Sequence, residues 1–158
     1  MSSVLKQKES QFNRWVTYRL ADEVYGINVM QVQEVLRMSE IAPVPGAPGC
    51  VLGIINLRGN VVTVVDAREL FGLSRSEPTE QTRIMIVEIN KLIVGLLVDS
   101  VAEVVNIQNS DIDSAPNIGN EENSRYIQGV FSKNDEILIL VDLNRLMGPD
   151  AQFIQGGF

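Results

Sequence analysis

Residues 51–72 read VLGIINLRGNVVTVVDARELFG. The stretch has four parts in a fixed order. Gly53-Ile54-Ile55 is an apolar run that ends in Asn56-Leu57-Arg58-Gly59, and a turn is expected at Gly59-Asn60. Val61-Val62-Thr63-Val64-Val65 is β-branched throughout and suits a strand buried on both faces. Asp66 stops that strand and can accept a hydrogen bond from the free N–H groups of a following helical turn. Glu69 can reach back to complete a capping box, and Gly72 is the C-terminal stop.

The same order returns late in the chain. Gly129-Val130-Phe131 leads through a polar turn, Ser132 to Glu136, into Ile137-Leu138-Ile139-Leu140-Val141. Asp142 caps the next turn and Gly148-Pro149 stops it. Val61 to Gly72 aligns with Ile137 to Gly148 without a gap. Upstream, Tyr25-Gly26-Ile27-Asn28-Val29 matches Val94-Gly95-Leu96-Leu97-Val98, and Val32-Gln33-Glu34-Val35 matches Val101-Ala102-Glu103-Val104. The period is about half the chain, too long for a solenoid. Two similar lobes are expected, with a flexible tail at 1–13, a first lobe over 14–80, a second over 81–149 and a second tail over 150–158. Neither lobe can bury a large core alone, so Val, Ile and Leu on facing sides should be shared between them.

The chain has 158 residues, 45% hydrophobic and 21% charged, an ordinary globular composition. A net charge of −7 argues against nucleic acid or an anionic membrane as the main partner. No apolar run approaches the ~18–20 residues of a membrane span, and the polar start has no apolar signal core, so the cytoplasm is the expected location. The single cysteine, Cys50, reads as a small packing residue. Histidine is absent, which removes the commonest general base, the commonest metal ligand and every Ser–His or Cys–His nucleophile pair. No metal or cofactor is expected. Carboxylate chemistry stays open, and a small hydrolase or ligand-binding barrel would have Glu34, Asp66 and Asp142 as its acids.

Trp15 to Leu20 alternates as a strand, and Val24 to Met30 runs back with Gly26 inside it, which suggests a bulge or sharp bend. From Val29 to Leu36 a short helix and a bent strand compete. Ile41 to Gly49, with Pro43, Pro45 and Pro48, is a loop that reads as a rigid connector, with Pro-x-x-Pro binding as the alternative, and Cys50 to Ile55 is expected to begin as a short helix. Ser74 to Gln81 is polar and marks the internal boundary. Arg83 to Ile89 and Leu92 to Val98 form an apolar hairpin about Asn90-Lys91. Asn106 to Asn123 is a polar surface excursion, and its Asp111 and Asp113 lack the spacing of a calcium loop. Short strands, glycines at bends and the duplication together predict an all-β chain of two small barrels with short helical turns.

On Asn56-Leu57-Arg58-Gly59, the following apolar strand, Asp66, and Val32-Gln33-Glu34 upstream, the chain resembles the CheW family of bacterial chemotaxis coupling proteins over about residues 14–148. The resemblance implies two SH3-like five-stranded barrels packed together. It also implies a non-catalytic adaptor between the regulatory domain of the chemotaxis histidine kinase and the cytoplasmic helical-hairpin tips of chemoreceptors, recruited to membrane-bound arrays without inserting in the membrane. A related coupling module in a non-chemotaxis pathway is the alternative. Glu34 and Arg58 match family residues associated with receptor coupling and a salt bridge, and arginine can hold a carboxylate by two parallel bonds. Val32, Val35 and Ile55, with Val101 and Val104 as their counterparts, are expected to line an apolar groove for a helix. Ile84, Ile86 and Leu92 on one side, and Val61 and Thr63 on the other, are expected as exposed barrel edges that bind the kinase and close rings with it.

Overall fold

The computed structural model describes residues 12–47, 49–114 and 126–145. Among them run ten strands: β1 Phe12–Leu20, β2 Glu23–Asn28, β3 Val32–Arg37, β4 Val51–Leu57, β5 Asn60–Asp66, β6 Arg83–Ile89, β7 Leu92–Val98, β8 Ser100–Gln108, β9 Ile127–Lys133 and β10 Glu136–Val141. A single helical turn, α1 Ala67–Leu70, follows β5, and 3-10 turns lie at Val29–Gln31, Asn109–Asp111 and Leu143–Arg145. The expected tails fall outside the described residues, except that β1 already begins at Phe12. Pro48, Gly148-Pro149 and much of the polar stretch 106–123 also fall outside them.

Local chemistry explains most of the elements. Residue pairs with positive φ close three hairpins: Arg58 and Gly59, Asn90 and Lys91, Asn134 and Asp135. Two consecutive left-handed residues are what a tight hairpin loop needs to match strand twist. The turn therefore centres on Arg58-Gly59, one residue earlier than the sequence suggests. The contest between Val29 and Leu36 resolves in sequence. Asn28 accepts from the Met30 N–H at 2.9 Å to cap a 3-10 turn, and β3 then begins at Val32. Cys50 to Ile55 is not helical. Cys50 O accepts from the Asp66 N–H at 2.8 Å, and pairing with β5 takes up the backbone that a helix needs. Gly26 sits in unbroken register rather than at a bulge, and a Cβ there would meet Leu140 at 3.0 Å.

The strands form two five-stranded sheets, ordered β8-β1-β2-β10-β9 and β3-β6-β7-β5-β4. The duplication is preserved strand for strand, since β1, β2, β8, β9 and β10 hold the places of β6, β7, β3, β4 and β5. Each repeat, however, contributes its first two strands to one sheet and its last three to the other. The sequential division at 14–80 and 81–149 is thus not how the lobes are built. The physical reason is the parallel pairing of β2 with β10 and of β5 with β7. A parallel neighbour cannot be reached by a tight hairpin, so the chain crosses between sheets after β2 and again after β7.

Each sheet curls until its edges meet. Past β3, Ala42 bridges Ile54 of β4, and past β8, Asp113 bridges Val130 of β9. Glycine permits both approaches. A Cβ on Gly53 would lie 2.1 Å from Ala42 O, and one on Gly129 would lie 2.8 Å from Asp113 O. The barrel interiors are small: Trp15, Ile107, Leu138 and Leu140 in the first, and Ile55, Val62, Val64, Ile84 and Ile86 in the second. The main core lies between the sheets and draws Tyr18, Leu20, Tyr25 and Ile27 from one and Val65, Met85, Val87 and Leu96 from the other. Tyr18, Tyr25 and Phe71 stack in a row through it and Tyr126 meets Phe71 edge-on, with ring centroids 5.3–5.7 Å apart.

The exchange sets a direct expectation. Fragments 1–80 and 81–158 should each stay unfolded alone, and mixing them should restore β-sheet circular dichroism and dispersed amide resonances. A separately folded 14–80 lobe would contradict the exchanged topology.

Candidate functional site

Glu34 and Arg58 meet across the seam of the second barrel. Glu34 lies on β3 opposite Ile86, beside a register shift between Val32 and Glu34. Arg58 stands on the β4–β5 turn with φ +51°, in the left-handed region that a bulky residue seldom enters. Asn56 stabilises that turn by accepting from the Gly59 N–H at 2.8 Å. Both guanidinium Nη atoms of Arg58 donate to Glu34, Nη1 to Oε1 at 3.2 Å and Nη2 to Oε2. The Arg58 hydrogen bond holds the Glu34 carboxyl below its ordinary range. The seam is therefore closed twice, by the Ala42–Ile54 backbone bridge and by this fork. The Arg58 side chain remains 69% exposed and Glu34 30%, so the pair is presented to solvent.

The apolar candidates divide by burial. Val35 and Val104 are exposed, at 40% and 54%, while Val32 and Val101 pack partly buried against the main core. Ile55 is buried in the core of the second barrel. Ile84 and Ile86 are fully buried. Their strand, β6, lies between β3 and β7, so it has no free edge, and the expectation that they form an exposed barrel edge is corrected. Val61 and Leu92 are exposed and Thr63 is half-buried. Two residues back from the Thr63↔Val94 pairing, the β5/β7 register sets Val61 beside Leu92.

The acids of the hydrolase alternative have other partners. Asp66 caps α1 by accepting from the Arg68 N–H at 2.9 Å, and burial pushes its carboxyl above the ordinary range. Glu69 does not complete the capping box but pairs with Arg75 at 2.8 Å. Asp142 accepts from the Asn144 N–H at 3.0 Å.

Two features escaped the sequence. Met30 is 84% exposed at the crossover from β2 to β3. Arg68 on α1 holds Asp99 by a fork, Nε to Oδ1 at 2.8 Å and Nη2 to Oδ2 at 2.5 Å. Asp99 Oδ2 also accepts from the Ala21 N–H at 2.8 Å, so this clamp ties α1 to the β7–β8 crossover and the β1–β2 turn. The only signal in the sequence is a charge beside each turn.

The family model described as CheW-like domain matches residues 14–150. A chemotaxis protein CheW of Rhizobium meliloti is 31% identical over 96% of this chain and 98% of its own length. One from Treponema pallidum is 32% identical over 83% of this chain and 79% of its own. The crystal structure of a CheW scaffolding protein from Thermoanaerobacter tengcongensis superposes with a TM-score of 0.77 at 33% identity, over 83% of this chain and 89% of that one. This chain belongs to the CheW-like family.

The Arg68–Asp99 clamp sets a stability test. Asp99→Ala takes this acceptor from a part-buried guanidinium and from the exposed Ala21 N–H, a loss of about 0.5–1.5 kcal/mol by denaturant titration. The Arg68 hydrogen bond holds the Asp99 carboxyl below its ordinary range. Its contribution is therefore present above the unfolded carboxylate pKa of about 4 and is lost as pH falls through the lower folded value. Asp99→Ala should flatten that acid limb, and a difference independent of pH would argue against the pair.

Proposed function

We propose that this protein is a non-catalytic chemotaxis adaptor that couples chemoreceptors to the chemotaxis histidine kinase. The observation that carries the reading is the solvent-facing Arg58–Glu34 fork, held on a strained turn of a scaffold whose relatives are chemotaxis proteins. A forked charge pair on an exposed turn supports recognition better than stability, because ion pairs in water contribute little to folding. Its guanidinium edge can exchange Glu34 for a polar or acidic partner group at little cost.

In this reading Glu34 and Arg58 contact the receptor's helical-hairpin tip, with Val35 and Val104 as exposed apolar contacts and Val32 and Val101 as half-buried shoulders. Ile55 supports this surface from the core. The exposed pair Val61 and Leu92, with Thr63 between them and the core, meets the kinase regulatory domain. Two lobes of one plan but different surface suit head-to-tail contacts that close into rings with that domain. The adaptor works in the cytoplasm at membrane-bound arrays. Among the described residues no helix is long and apolar enough to cross a membrane.

Reconstitution with a chemoreceptor and the kinase tests the receptor surface. Arg58→Glu should keep the melting behaviour of the parent and lower receptor-dependent kinase control by roughly tenfold or more, since it sets two acids against each other at the contact. Wild-type coupling, or global unfolding, would remove Arg58 from the receptor surface. For the other surface, size measurement of a mixture with the kinase regulatory domain should show a complex that Val61→Glu abolishes and Arg58→Glu leaves intact.

A further inference from the structure

The exchanged repeats make the two barrels comparable position by position, and they differ at one mouth. In the second barrel Ile84 and Ile86 fill the interior, and the Arg58 side chain lies across the opening to Glu34. In the first barrel the matching places hold Trp15 and Thr17 for the isoleucines, Glu103 for Glu34 and Asn134 for Arg58. Asn134 keeps the backbone of Arg58, with φ +53° against +51°. Thr17 is smaller than isoleucine, and its hydroxyl is turned to the Glu103 backbone, donating to O at 2.7 Å and accepting from N at 3.1 Å. An open cavity of about 330 Å³ lies at this mouth of the first barrel.

The walls of this cavity are chemically explicit. Val24, Val105, Phe131 and Leu138 form an apolar floor continuous with the barrel interior. Glu103 shares a face of β8 with Val105 and so looks into the mouth. Lys133 and Glu136 stand directly opposite each other across the β9–β10 hairpin, and their charges offset. Arg19 also lines the mouth but makes no ion pair with Glu103 among the described residues. At the rim, Ile137 is 56% exposed and adds an apolar ledge to the cavity lining.

We propose that this mouth binds an arginine side chain of a partner polypeptide, with Glu103 taking the guanidinium as Glu34 takes Arg58 in the sister barrel. The methylene stem lies on Phe131 and Val24, and residues flanking the arginine rest on Ile137. Arginine is favoured over lysine because its planar fork meets a carboxylate with two parallel bonds. A cavity of this size is at the lower end of ligand pockets and accommodates one long side chain. The site is on the opposite barrel from Glu34 and Arg58 and does not rest on the coupling role proposed for them.

The test is titration of the full chain with the peptide acetyl-Leu-Arg-Leu-amide, followed by amide NMR shifts. The same peptide with citrulline, and free arginine, serve as controls. Shifts should centre on Thr17, Glu103 and Phe131. The citrulline peptide and free arginine should each bind at least about tenfold more weakly, for want of the charge and of the flanking contacts respectively. Glu103→Gln should weaken the arginine peptide by a similar factor. Asn134→Arg should install the missing plug, raise the melting temperature and abolish binding. Its folding is safeguarded by Arg58, which already occupies the same backbone conformation. No shift at millimolar peptide, equal binding of the citrulline peptide or of free arginine, or undiminished binding to both variants would overturn the proposal.

Discussion

Parallel pairing of β2 with β10 and of β5 with β7 is the constraint on which the rest of the molecule depends. Each pair joins strands from opposite halves of the chain. Each fixes the middle of a sheet, so the hairpins β9–β10 and β4–β5 are carried with it to the far side. Once both are made, the inward faces of the two sheets confront each other, and Tyr18, Tyr25, Val65 and Leu96 fall into one core. The barrel interiors, a few residues each, are too small to hold a domain on their own. Stability therefore resides at the junction.

Charges are distributed according to that mechanics. The Arg68–Asp99 clamp sits where the chain crosses from β7 to β8 and reaches the β1–β2 turn through Ala21. Its side chains are mostly sheltered, so its electrostatics are only partly screened by water. The Arg58–Glu34 fork has the same chemistry in a wetter place and at a seam already closed by a backbone bridge. One pair fastens the architecture, and the other is free to serve recognition.

Much of this was legible in residue order. The hairpin 83–98 could be read because Asn90-Lys91 interrupts two apolar runs with residues that tolerate positive φ. The repeat could be read because Asp66 and Asp142 end β-branched or aliphatic strands in the same way. The exchange could not be read, since identical local grammar suits a repeat that closes on itself and one that trades strands with its twin. Ile84 and Ile86 show the same limit. Alternating apolar residues state which side of a strand is buried, not whether the strand is central or at an edge. Arg68 and Asp99, 31 residues apart and in different repeats, each look like an ordinary surface charge. Glu34 and Arg58 were legible through the family resemblance and through Arg58's place on a turn between two apolar runs, whereas the strand that carries Glu34 was not.

The traded strands carry an implication for descent. A chain holding one such repeat would have two strands of one sheet and three of another, and could complete either only against a second copy of itself. Its natural state is a two-fold symmetric swapped dimer with identical halves. Joining two repeats in tandem makes that dimer a monomer and lifts the requirement for identity. After fusion the position that is Arg58 in one copy can be Asn134 in the other, and the position that is Ile86 can be Thr17. One ancestral surface thereby becomes two that differentiate separately inside a single polypeptide.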